Sequence, residues 1–154
     1  LIMGKYFTIS ELCESDKADK LGIVNVPNEE ETKHLEELIE VIDRIREAWT
    51  KLCEKNNWGR PSIKTNSGFR NEALNKAVGG SSTSAHRLGY AIDFEPNNQR
   101  NKEFYDFLIE WLRDNKQPFD QLINEKPRCG IPSWVHFGLK NRKGQQRGQI
   151  FTLV

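Results

Sequence analysis

Leu35, Leu38, Ile42, Ile45, Trp49 and Leu52 recur at alternating three- and four-residue steps. That spacing puts all six on one face of an α-helix, and an apolar stripe of this length must be buried against something. The start is marked as clearly as the stripe. Asn28 is a good N-cap, and Glu29, Glu30 and Glu31 follow in the first turn, where the helix dipole favours acids. The helix is expected to run to about Asn56-Asn57. In a chain of 154 residues the stripe fits a helix packed on its own domain better than a coiled-coil seam. His34, among Glu and Lys ahead of the stripe, reads as a solvated surface histidine.

The other segments supply the partner for that stripe. Tyr90, Ile92 and Phe94 alternate with Ala91 and Asp93, the pattern of a half-buried strand with Asp93 facing away from the large apolar side chains. Pro61–Thr65, Phe119–Asn124, Trp134–Leu139 and Gln149–Val154 read as further strands. Thr8–Leu12 reads as a short helical turn with Ser10 as a candidate cap. Asn71–Val78 reads as a short helix closed by Gly79-Gly80. Asn98–Asn115, with Phe104, Phe107, Leu108, Trp111 and Leu112, reads as a second amphipathic helix. Gly22–Pro27, Ser81–Ser84 and Asn141–Gly148 read as loops. There is no repeat and no low-complexity linker, so the expectation is one domain, residues 1–154, of class α+β: helices packed on a small, mainly antiparallel sheet.

Composition excludes several functions. A formal net charge of +1 is no footprint for nucleic acid. No apolar run approaches the length of a membrane span. Cys13, Cys53 and Cys129 are odd in number and far apart, which suggests reduced, partly buried thiols rather than a disulfide framework. A Cys129–His136 nucleophile pair lacks an orienting group. Leu1-Ile2-Met3 is too short for a signal peptide, so no export signal is visible.

Two of the three histidines, His86 and His136, stand with Asp93 in the best candidate site. Two imidazoles and a carboxylate are a common catalytic zinc set that leaves a fourth position open. Gly89 and Ala91 are small residues that would let backbone and metal approach closely. Spacing by itself also fits a protein without metal, in which His86 and His136 are core residues.

The surrounding residues sharpen the choice. Ser84-x-His86-x2-Gly89-x-Ala91-x-Asp93 resembles the SxHxxGxAxD signature of the M15 zinc peptidases. These are D-Ala-D-Ala carboxypeptidases and related peptidoglycan endopeptidases, phage endolysins among them. Trp134-Val135-His136 resembles the family's third-ligand segment. Ser67-Gly68-Phe69-Arg70, Leu74–Gly80 and Phe119–Ile123 resemble stretches of its short phage- or bacteroidete-type branch. The resemblance implies a Hedgehog/DD-peptidase-like fold and one Zn2+ held by His86, Asp93 and His136. It implies that Arg70 contacts substrate and developing oxyanion, and that Ser84 lies near substrate.

One position departs from the family pattern. Many members carry an acid three residues before the last histidine, where this chain has Ser133. Glu125 is the expected substitute as general base, with Glu95 in reserve. Strand parity puts Gln121, Ile123 and Glu125 on one face, so Gln121 is a candidate substrate contact. The expected activity is hydrolysis of a peptidoglycan stem peptide through a metal-activated water, at a bond involving a D-amino acid. Ser133 also suits a rival: a non-catalytic, metal-containing wall-binding module. A monomer is expected. It would be made in the cytoplasm and reach the wall as a phage or prophage lysin, released by a holin-like partner, or through an N-terminal segment outside this sequence.

Overall fold

The computed structural model describes residues 4–154; the Leu1-Ile2-Met3 reading lies outside them. Helices α1 (Ile9–Leu12), α2 (Asp16–Leu21) and α3 (Glu29–Lys55) come first. They are followed by β1 (Ile63–Ser67), α4 (Glu72–Ala77), α5 (Ala85–Leu88), β2 (Ala91–Pro96) and α6 (Asn101–Asp114). Strands β3 (Gln121–Glu125), β4 (Trp134–Gly138) and β5 (Gln149–Leu153) complete the chain. The sheet order is β1-β2-β4-β3-β5. All pairings are antiparallel except β3 with β5. The architecture is the α+β expected.

Helix α3 is capped by a reciprocal pair: Asn28 Oδ1 accepts from Glu31 N, and Glu31 Oε1 accepts from Asn28 N. It is about 40 Å long at 1.5 Å per residue, enough to cross the whole sheet. Leu35, Leu38, Ile42, Ile45 and Trp49 are buried, while Leu52 is half-buried and Cys53 takes the core position beside it. The stripe packs with α6 and with the apolar sheet face formed by Ile92, Phe94, Leu122, Val135 and Phe137. Trp49 meets Phe104 edge-on at 5.1 Å between ring centres. With one sheet face committed to this core, the other face is left to carry Asp93 and His136.

Local readings differ from the structure where long-range contacts override them. Thr8, not Ser10, caps α1 and accepts from Glu11 N. α2 was not expected, although Ser15 caps it in the same way, Asp16 and Asp19 sit in its first turn, and Gly22 closes it at φ 67°. The second long helix starts at Asn101 rather than Asn98, and Arg100 gives it no side-chain cap. His34 is half-buried rather than freely solvated: its ring stacks on Tyr90 at 4.1 Å and Nδ1 lies 2.7 Å from Leu88 O. The thiols differ as well, with Cys53 buried, Cys13 half-buried and Cys129 exposed.

Candidate metal centre

His86 lies on the short helix α5, not in a loop or strand start. Ser84 caps that helix, its Oγ accepting from His86 N. Gly89 ends it with φ 85°, a conformation that favours glycine. A side chain at Gly89 would meet Glu31 O on α3 at 2.9 Å, so the small residue serves helix packing and not approach to a metal. Arg87 pairs with Glu31 at the same junction. These contacts, with His34 on Leu88 O, clamp α5 to α3 and hold the His86 ring in place.

Asp93 and His136 sit directly opposite each other on β2 and β4. His86 is 3% exposed, and its Nε2 lies 3.3 Å from Asp93 Oδ2. His136 Nδ1 lies 3.0 Å from Asp93 Oδ1. One ligand atom from each of the three residues falls within 4.8 Å of the others. His86 Nδ1 is 2.8 Å from Gly68 O, and a carbonyl only accepts, so Nδ1 carries the proton and Nε2 presents a lone pair. A histidine oriented by a backbone carbonyl behind it is the usual supporting arrangement for a metal ligand. The donor set therefore fits a metal ion.

Electrostatics agree with that fit. Burial disfavours the charged form of His86 and lowers its pKa, leaving the imidazole neutral as a ligand must be. Burial pushes the Asp93 carboxyl up, but the two histidines beside it, His136 through its Nδ1–H hydrogen bond, outweigh burial and hold the group well below the usual carboxylate range.

These residues line a cleft of about 650 Å3 that also contains Arg70, Ser84, Gln121 and Glu125. Arg70 Nη2 makes a long hydrogen bond of 3.4 Å to Ser84 Oγ, while its Nε is buried without a partner among the described residues. Burial lowers the Arg70 pKa against the opposing pull of Asp93. Glu125 lies across from Trp134, two positions from His136, as β3–β4 pairing requires. Its Oε1 is buried with no partner among the described residues, and burial, then the Asp93 charge, raises its pKa. Gln121 is also in the cleft, with Nε2 3.0 Å from Gln149 Oε1.

The alternatives fall elsewhere. Ser133 Oγ donates to Lys126 O at 2.6 Å and its N donates to Glu125 O, so Ser133 shapes the β3–β4 turn. Glu95 accepts from Asn66 at 2.7 Å outside the cleft, and exposed Cys129 does not line it.

Two features of the cleft escaped the sequence reading. Asp120, 2% exposed, holds Arg147 through Nε at 2.8 Å and Nη2 at 2.9 Å. Nothing local links residues so far apart. Gly68 figures in the sequence only as part of the family-like Ser67–Arg70 stretch, yet a side chain there would collide with Leu12 O. Its carbonyl orients His86, and no sequence pattern announces a carbonyl.

No curated protein matches the chain. The family profile described as Peptidase M15 matches residues 5–125, a stretch that holds His86, Asp93, Arg70 and Glu125, while His136 lies beyond it. On that match over most of its length, the chain belongs to the peptidase M15 family.

Proposed function

We propose that this protein is a zinc metallopeptidase that hydrolyses peptidoglycan stem peptides, as a D-Ala-D-Ala carboxypeptidase or an endolysin-type endopeptidase. Family membership supports a metallopeptidase. The observation that carries the reading is the convergence of His86, Asp93 and His136 in a cleft that also holds a Glu125 carboxylate oxygen with no partner among the described residues. Two nitrogens and one oxygen suit zinc and leave a position for the reaction. When bound, the ion supplies a Lewis acid that acidifies water and polarises the scissile carbonyl.

The chain's own residues do the rest. Glu125, raised in pKa and sharing the cleft with Asp93 and His136, its Oε1 without a partner among the described residues, takes a proton from the attacking water and returns it to the leaving amine. Arg70 directs a guanidinium at charge that develops on the carbonyl oxygen, where a fixed cation stabilises the transition state more than the ground state. Ser84 holds Arg70 and starts α5, so its contribution to substrate binding runs through both. Gln121 lines the cleft and offers an amide to a peptide backbone. The rival wall-binding reading rested on Ser133, and Glu125 in the cleft weighs against it.

The test is zinc-loaded protein on purified peptidoglycan, with and without chelator, followed by new amino termini and free D-alanine. Glu125→Ala is expected to keep its metal and to lose about 100- to 10,000-fold in kcat. No product from the loaded protein, or an unchanged rate in Glu125→Ala, overturns the reading.

A further inference from the structure

Two buried polar atoms of opposite character stand on directly paired residues beside the metal ligands. Glu125 Oε1 is an acceptor and Trp134 Nε1–H is a donor, and neither has a hydrogen-bond partner among the described residues. Glu125 and Trp134 face each other across β3 and β4, and both line the cleft. Directly opposed residues of an antiparallel pair have Cβ atoms about 4.5–5.5 Å apart, within reach of an indole edge and a carboxylate. The indole is itself restrained, with Lys126 Nζ over its ring at 5.7 Å. Buried donors and acceptors are nearly always paired, so a complementary couple left open at one register position calls for an explanation.

We propose that Trp134 is a positioning residue whose indole N–H binds Glu125 Oε1 and fixes the carboxylate, leaving Oε2 directed at the substrate. Hydrogen bonds at catalytic groups are often long in the free protein and tighten in the working complex. Indole is suited to the task because it is donor only: it holds a carboxylate without competing for the proton that the carboxylate must accept. A Phe at 134 would fill the same space and leave Glu125 free to rotate. The inference rests on Glu125 as the base, and the experiment separates the two.

The zinc-loaded protein is followed by indole N–H nuclear magnetic resonance, with the Trp134 signal identified by its loss in Trp134→Phe. In Glu125→Ala the Trp134 signal is expected to move upfield, and in the surface control Glu103→Ala to stay in place. In parallel, Trp134→Phe is expected to lower kcat about tenfold, the size of one hydrogen bond to a charged group. KM and zinc content should be nearly unchanged, and Trp134→Phe should add nothing in the Glu125→Ala background. A Trp134 resonance indifferent to Glu125→Ala overturns the proposal, and so does an equal loss of kcat from Trp134→Phe in both backgrounds. The resonance test keeps Trp134 intact, so it stands even if Trp134→Phe does not fold. If Glu125→Ala is as active as the parent, the general-base reading fails while the resonance still decides the pairing.

Discussion

Metal binding should appear as thermal stability, and its size follows from the structure. The three candidate ligands are on rigid elements and converge within 4.8 Å, so the folded state offers a formed site that the unfolded chain lacks. A ligand that binds only the folded state stabilises it by about 2.7 kcal/mol at a free concentration 100 times Kd. For 154 residues the unfolding entropy near the midpoint is about 0.32 kcal/mol/K, so Tm should rise by about 8 °C. Differential scanning calorimetry of stripped protein titrated with zinc measures the shift. His86→Ala, Asp93→Ala and His136→Ala should each abolish most of it, and chelator should reverse it in the parent. Glu125→Ala should keep it in full, since Glu125 is assigned to the proton and not to the ion. A parent without a shift, or a shift that survives all three ligand changes, refutes the site.

Other outcomes follow from single contacts. Gly68→Ala sets a side chain against Leu12 O and disturbs the carbonyl that orients His86, so zinc affinity should fall about 10- to 100-fold in a competition titration. Asp120 is pushed up by burial but held below its ordinary 3.8 by hydrogen bonds from Arg147. A depressed folded pKa contributes stability that is full above 3.8 and is lost as pH falls through the folded value, so Asp120→Asn should flatten the acid limb of a Tm-versus-pH curve. Thiol reagents at pH 8 should modify Cys129 quickly; burial, helped by the Glu31 charge, pushes Cys13 up to about 11, and Cys53 is in the core. Trp49→Ala removes the fully buried ring at the centre of the α3–α6 contact and should cost about 3–5 kcal/mol in denaturant unfolding.

The legible parts of the fold were those written in short-range pattern. The α3 stripe and its Asn28 cap, the alternation around Asp93 and the parity of Gln121, Ile123 and Glu125 each depend on neighbours within one turn or one strand. α2 was equally legible from Ser15, Asp16 and Gly22, and went unread because its apolar face is little more than Ala18. His34 misled because polar neighbours along a helix do not reveal a ring from another element, here Tyr90, lying against its face.

What the sequence determined by itself was the α+β class, the long helix and the three residue types that suit a metal, because periodicity and side-chain chemistry are local properties. Tertiary structure alone decided that His86 rides on a helix clamped to α3, that Gly68 O sets its tautomer, and that Asp120 restrains Arg147 at the rim. It also placed Glu125 opposite Trp134 with complementary buried atoms. Each of those facts joins residues from different elements, through strand register, a backbone carbonyl or a side-chain pair. Register and carbonyl direction are set by how the whole sheet and α3 pack together, and no single segment encodes them.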